Sequence, residues 1–198
     1  GETRDHIYMR VTNPTNQCLE ERLAALESGK GAMVTASGMA AINNACMTLL
    51  RAGDELVASA SLFMTTYGLF TNIYKRYGIK AVLADPLDPQ KIEAAVTDRT
   101  RFVYIETITN PGMEIADIKT IADIAHARGV PLLVDNTLAS PWLCRPIELG
   151  ADIVFHSTTK YLSGHGGSLG GLVVDSGQFD WTSGRFEDFS SFVEQKGD

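Results

Sequence analysis

The feature that most constrains this chain is a repeated alternation. Short, largely apolar runs at residues 32–35, 55–58, 79–84, 101–106, 130–134, 153–155 and 172–174 are separated by segments with helical patterning or turn chemistry. The runs are too short for helices. They also lack the polar alternate positions of a strand that faces water on one side, so they read as strands buried on both faces. The intervening helices are expected at residues 18–28, 37–50, 62–77, 89–96 and 118–128. In the first, Leu19, Leu23 and Leu26 fall at i, i+4 and i+7, and Gly29 and Gly31 stop it. In the last, Asp117 can cap the start, and Ile118, Ile121, Ile124 and Ala125 make one apolar stripe. Strand and helix alternating in this way predict an α/β fold, a mostly parallel seven-stranded sheet covered by helices on both faces. Residues 1–17 read as irregular, with Asn13-Pro14-Thr15-Asn16 as turn chemistry, and residues 176–198 are more polar and lose the alternation.

Composition narrows the function classes. The 198 residues, 44% of them hydrophobic, suffice for about one large domain with a substantial core. A net charge of −7 argues against nucleic acid as the main partner, because neutralising phosphates needs a basic footprint. Cys18, Cys46 and Cys144 are odd in number and widely spaced, so no disulfide framework is expected and a reducing cytoplasm is the simplest compartment. No apolar run reaches the roughly 20 residues of a membrane span. His6, His126, His156 and His165 show no metal-ligand spacing.

The chemistry lies where strands end, which in open α/β sheets is where ligands bind. After the run 153–155 come Ser157, Thr158, Thr159 and Lys160, followed by glycines at 164, 166, 167, 170 and 171. A lysine at such an exit can be partly desolvated and serve as an amine nucleophile, and the hydroxyls beside it suit a phosphate. A surface lysine in a glycine-rich loop fits the same residues. Ser37-Gly38-Met39 opens a helix, whose free amides can bind a phosphate or simply form a capped turn. Asp135 follows a fully apolar run and needs a partner there, whether a pyridinium nitrogen, a magnesium ion or a loop amide. Asn110 precedes Pro111 and can donate to a ring oxygen or merely mark a turn. Their order is more informative than any one of them. An acid for a ring nitrogen, a lysine to hold an aldehyde as a Schiff base and a helix start for a phosphate are together what pyridoxal 5'-phosphate needs.

With these motifs in order, the chain resembles the fold-type I pyridoxal-phosphate enzymes of the Cys/Met metabolism (trans-sulfuration) family. The likeness rests on Tyr8-Met9-Arg10-Val11-Thr12-Asn13-Pro14-Thr15, Ser37-Gly38-Met39-Ala40-Ala41, Glu106-Thr107-Ile108-Thr109-Asn110-Pro111, Val134-Asp135-Asn136-Thr137 and Ser157-Thr158-Thr159-Lys160-Tyr161. The resemblance implies that Lys160 is covalent anchor and general base and that Asp135 pairs with the pyridinium, with Thr137 beside it. Asn110 would lie near the phenolic oxygen. Phosphate ligands would be the amides of Gly38 and Met39 with the hydroxyls of Ser157 and Thr159. Tyr8 and Arg10 would reach the phosphate of a neighbouring subunit, so a homo-oligomer, dimer or tetramer, is implied. One position departs: Phe63-Met64-Thr65-Thr66 stands where many members have Tyr-Gly-Gly-Thr. Phe63 can stack on the ring but cannot transfer a proton; Tyr67 lies one turn on.

Leu143-Cys144-Arg145-Pro146-Ile147-Glu148, Asp175-Ser176-Gly177-Gln178-Phe179-Asp180-Trp181 and Ser183-Gly184-Arg185-Phe186 resemble the O-acetylhomoserine sulfhydrylases more than the lyases. The implied reaction is a γ-replacement that turns O-acetyl-L-homoserine and sulfide, or a thiol, into L-homocysteine, or methionine, and acetate. The sulfur donor is free sulfide or a sulfur-carrier protein. The alternatives are the succinyl ester as substrate, cystathionine γ-synthase chemistry, a methionine or cystathionine γ-lyase, and, from another class, a truncated non-catalytic cofactor-binding fragment. By resemblance, residues 1–17 belong to an N-terminal arm contacting a neighbouring subunit and 18–175 to the large cofactor-binding domain. Residues 176–198 would lead toward a smaller C-terminal domain that the chain lacks.

Overall fold

The apolar runs pair into one seven-stranded sheet. In the computed structural model, which describes residues 8–9, 12–183, 185–186 and 189, the strands are β1 (Gly31–Thr35), β2 (Glu55–Ser59), β3 (Lys80–Ala84), β4 (Thr100–Glu106), β5 (Leu132–Asp135), β6 (Ile153–His156) and β7 (Gly171–Asp175). Their order is β1-β7-β6-β5-β4-β2-β3. Neighbours from β6 through β3 are parallel, and β7 is antiparallel to both β1 and β6. Six strands therefore point one way and bring their carboxyl ends to one edge. Chain order reverses between β4 and β2, which makes a crevice at that edge.

Helices α1 (Pro14–Leu26), α2 (Gly38–Leu49), α3 (Met64–Gly68), α4 (Pro89–Ala95), α5 (Ile118–Ala127) and the short α6 (Ser140–Leu143) complete the chain. The two-residue period of a strand sorts its side chains between the layers. Val103, Ile105, Leu132, Val134 and Val154 pack with Leu23 of α1, Ile92 of α4 and Ile121 of α5. Phe102, Tyr104, Leu133 and Phe155 pack on the other side with Ile42 and Cys46 of α2 and with Phe70 and Tyr74. The alternation continues past the apolar residues. It sends Glu106 and Asp135 to the α2 side, and Asn136 and His156 to the α1 side.

Several local expectations are corrected. Helix α1 begins at Pro14 rather than at residue 18, because the Asn13 side chain accepts from the Thr15 and Asn16 amides and Pro14 needs no amide partner in a first turn. Of the expected stripe, Leu23 is buried but Leu19 and Leu26 are exposed, since α1 presses on the sheet through Leu23 and Ala24. Residues 62–77 do not form one helix. The α-helical turn α3 is followed by a π-helical turn at Leu69–Ile73 and a 3-10 turn at Tyr74–Tyr77. Thr65, Thr66, Gly68, Thr71 and Asn72 are weak helix formers, and burial of Phe70 and Tyr74 decides the path instead. The α5 stripe holds, with Ile118, Ile121 and Ala125 buried. Beyond β7, Phe179, Trp181 and Phe186 stack on one another at 4.8–6.0 Å. Arg185 donates to the carbonyls of Thr100 and Arg128, pinning this segment to the amino end of β4.

Candidate active site

At the carboxyl edge a cavity of about 240 Å³ opens between the ends of β1, β2, β4, β5 and β6. Gly38, Met39, Phe63, Asn110, Asp135, Thr137, Ser157 and Lys160 all line it. Five separate strand exits thus deliver the residues singled out in the sequence to one place. Three others are not part of that lining. Tyr8 is exposed, and Arg10 lies outside the described residues. The Thr159 hydroxyl is taken up by Gly170, accepting from its amide at 3.1 Å and donating to its carbonyl at 3.3 Å. Tyr67 does not line the cavity either.

The phosphate end is built by close approach. Ser37 caps α2, its hydroxyl accepting from Ala40 and its carbonyl from Ala41, which leaves the first two amides, Gly38 and Met39, with no acceptor inside the helix. A Cβ on Gly38 would come within 2.8 Å of the Ser157 Cβ, so only glycine lets the helix start lie against the β6 exit. Gly171 is needed for a similar reason, since a Cβ there would meet the Ser37 carbonyl at 2.1 Å. Here the glycine after Lys160 makes room for the chain's own backbone. The β5 and β6 exits are tied together by the Ser157 amide, which donates to Thr137 Oγ1 at 2.8 Å.

Asp135 is half-buried at the end of β5. One carboxylate oxygen accepts from the Thr137 amide at 2.9 Å, and the other faces the Tyr104 hydroxyl at a long 3.5 Å. Burial pushes its pKa up; the Thr137 bonds, the His156 charge and Tyr104 pull the other way. A carboxylate so lightly satisfied favours a cationic partner, which suits a protonated ring nitrogen. Lys160 departs from expectation: it is exposed rather than desolvated, because it sits in the first turn beyond β6 at the open side of the cavity.

Sequence reasoning missed two acidic groups. Glu106 ends β4, is buried, and lines the cavity beside Asp135. Burial pushes its carboxyl up to about 7, and the charge of Asp135 adds to this against two amide hydrogen bonds. It stood inside a quoted motif, and its position at the end of an apolar run was the same signal that singled out Asp135. Glu27, past the end of α1, gave no local signal. It is fully buried beneath the exits, where Oε1 accepts from Asn136 Nδ2 at 2.9 Å and contacts His156 Nε2 at 2.5 Å. His156 therefore anchors the lysine-bearing strand from below. His165 only accepts from the Gly167 amide in an exposed turn. Trp142 is exposed, and Trp181 belongs to the distal aromatic cluster. Among the described residues, no group of three or more His, Cys, Asp or Glu could hold a metal, and no helix is long and apolar enough to cross a membrane.

Comparison with known proteins bears on the family and the fold. Residues 1–191 match the model of the family described as Cys/Met metabolism PLP-dependent enzyme. An O-acetyl-L-homoserine sulfhydrylase of Leptospira meyeri is 45% identical over 185 residues, covering 93% of this chain and 42% of that protein. An L-methionine gamma-lyase of Pseudomonas putida is 46% identical over 176 residues, 89% of this chain and 44% of that protein. Among solved structures, an O-acetylhomoserine (thiol)-lyase of Campylobacter jejuni carrying a pyridoxyl-lysine monophosphate superposes with a TM-score of 0.86 at 35% identity, over 89% of this chain and 44% of that one. The chain spans about half the length of the curated relatives it matches.

Proposed function

Because the chain belongs to the family of Cys/Met metabolism PLP-dependent enzymes, we propose that the protein carrying it converts O-acetyl-L-homoserine and sulfide, or a thiol, to L-homocysteine, or methionine, and acetate, with pyridoxal phosphate in the cavity. The observation that carries this reading is that Asp135, Lys160 and the α2 amino terminus face one cavity. The sulfhydrylase relatives support the choice of reaction. When bound, pyridoxal phosphate supplies an electron sink that stabilises a carbanion next to the substrate amine.

The chain's own residues divide the remaining work. Asp135 holds a proton at the ring nitrogen, keeping the sink electron-poor. The amides of Gly38 and Met39, with the hydroxyls of Ser157 and Thr159, hold the phosphate, and Thr159 exchanges its bonds to Gly170 for this. Phe63 covers a ring face, and lacking a hydroxyl it leaves proton movement to Lys160. Asn110 donates to the ring oxygen, and Thr137 keeps the Asp135 and Ser157 exits in register. Lys160 Nζ would hold the cofactor through its aldehyde carbon and, when free, would serve as the base that takes the proton from the substrate Cα. Over the whole reaction hydrosulfide, free or delivered by a carrier protein, would replace acetate at Cγ, and the protons taken from Cα and Cβ would return to those carbons. Tyr8 and Arg10 serve the phosphate of a neighbouring subunit, which makes the protein a homo-oligomer. The three cysteines are free, in keeping with a cytoplasmic setting.

Absorbance on adding pyridoxal phosphate is the first test. The wild-type chain should develop the visible band of a lysine-bound cofactor, and Lys160→Ala should not; a wild type without the band would end the reading. Product analysis of the whole protein with O-acetylhomoserine and sulfide should then give homocysteine. Release of 2-oxobutyrate and ammonia would instead establish a γ-lyase, the second reading, which the similarity to the Pseudomonas putida enzyme supports. The 198-residue chain alone is expected to bind cofactor but turn over poorly, since its relatives are about twice as long.

A further inference from the structure

Glu106 is a cavity-lining group to which the proposed chemistry gives no task. It closes β4 in direct cross-strand register with Asp135 of β5, with 4% of its surface exposed. Its two oxygens reach different walls. Oε1 accepts from the Phe63 amide at 2.7 Å, in the loop after β2, and Oε2 accepts from the Asn110 amide at 3.0 Å, in the loop after β4. These loops flank the crevice where the chain order of the sheet reverses. They also carry the two residues assigned above to the face and edge of the bound ring. We propose that Glu106 is a positioning residue whose ionised carboxylate clamps the Phe63 and Asn110 walls together, so that the grip on pyridoxal phosphate strengthens when Glu106 loses its proton. The proposal rests on the reading that this cofactor occupies the cavity.

The physical basis is the acceptor count. An ionised carboxylate accepts at both oxygens. A neutral carboxyl turns one of them into a hydroxyl, a poorer acceptor that points a donor at an amide donor. Hydrogen bonds to a charged acceptor are about twice as strong as neutral ones. Protonation therefore releases one wall. The charged or titratable groups acting on Glu106 are the Asp135 carboxylate from β5 and, from its own strand, the Tyr104 hydroxyl; the loops bearing Phe63 and Asn110 present backbone amides, and Lys160 from the β6 exit lines the same cavity. Burial and Asp135 together bring the titration to about 7, so the clamp is held above that pH and loosens below it. A cation bound at Asp135 would relieve the repulsion and favour the ionised, clamped form. Binding and proton loss from Glu106 should therefore be coupled in both directions.

The test uses the full chain and pyridoxine 5'-phosphate, which lacks the aldehyde and so leaves Lys160 out of the equilibrium. Its dissociation constant is measured between about pH 6 and about pH 8.5 for wild type and Glu106→Gln, across the range where such a group titrates. The wild type should bind more weakly toward low pH. Glu106→Gln should bind roughly tenfold more weakly at the upper end, as for loss of one charge-assisted hydrogen bond. It should keep only the pH dependence of the ligand's own ionisable groups, its phosphate and its ring, and of their partner Asp135. Equal pH profiles for the two proteins would overturn the clamp. In the unliganded wild type, with no mutation needed, the Phe63 and Asn110 amide proton resonances should titrate with one shared midpoint near 7. Separate midpoints, or none, would overturn it as well. Absence of pyridoxine phosphate binding by the wild type would refute the cofactor reading instead, and the amide titration would still judge the clamp.

Discussion

Glu55 and Glu106 are both buried glutamates on neighbouring strands, β2 and β4, yet they stand at opposite edges of the sheet and in opposite states. Glu55 opens β2, where Arg99 approaches it at 2.5 Å, Lys80 at 3.2 Å and the Thr97 hydroxyl at 2.8 Å. The Thr97 hydrogen bond, with Lys80 and Arg99, holds its carboxyl below the usual range in spite of burial. Glu106 closes β4 with two backbone amides and is pushed up to about 7. The same contrast runs along the whole sheet. At the amino edge Asp54 pairs with Arg101 at 2.9 Å, Asp152 with His126 at 2.8 Å, and Arg185 satisfies three backbone carbonyls, those of Asp98, Thr100 and Arg128. At the carboxyl edge Asp135 is under-satisfied, and the first amides of α2 have no acceptor in their helix. One edge closes on itself; the other keeps charge and donors for a ligand. The difference teaches that unmatched polarity, more than cavity shape, marks the working end of this sheet.

The comparison can be broken first at the site's foundation. Glu27→Ala should destabilise the chain by about 3–5 kcal/mol in denaturant unfolding, because it leaves the His156 ring and the Asn136 amide buried without the carboxylate that both contact. A loss under about 1 kcal/mol would mean that these contacts support nothing.

The next expectation sets the two glutamates against each other through pH. Glu106 has a folded pKa above its unfolded value, so the folded state holds the extra proton between about 4.5 and about 7. Its stabilising contribution is complete below the unfolded value and is lost as pH rises through the folded one, on the order of 3 kcal/mol in all. Glu106→Gln should remove that loss from unfolding curves measured across the window, even while it weakens cofactor binding. Glu55 works in the other direction: its contribution is present above the unfolded value and disappears as pH falls through the lowered folded one. Glu55→Gln should cost about 1–3 kcal/mol near neutrality, less than Glu27→Ala, because the exposed Arg99 and Lys80 can rehydrate. If both variants changed the pH profile with the same sign, the contrast between the edges would be wrong.

Smaller effects sharpen the picture. His126→Ala should cost about 0.5–1 kcal/mol, since its ring is 40% exposed and Asp152 keeps the Leu132 amide. Lys160→Ala should change the melting free energy by less than about 0.5 kcal/mol, as expected of an exposed side chain without structural partners to lose, while abolishing the visible cofactor band. A large loss of stability would make Lys160 a structural residue.

Local pattern and local chemistry determined much of this protein from the sequence. Largely apolar runs too short for helices require a doubly covered sheet. The polar residues that end them, Asp135, Asn110 and Ser157, must then emerge at its rim, with Lys160 in the next turn. The open side of the cavity explains why Lys160 is exposed when a desolvated amine was expected: pattern locates a residue along the chain but not the depth of what surrounds it. For the same reason Leu19 and Leu26 looked like core, and a broken segment at 62–77 looked like one helix. Only the tertiary structure decided which groups share a charge. Glu27 lies 129 residues from His156 and 109 from Asn136, and no spacing rule joins them. Glu106 meets Phe63 from 43 residues away. Periodicity reports burial, which each segment carries in its own residues, whereas ionisation and clamping depend on partners that only the folded chain brings within hydrogen-bond reach.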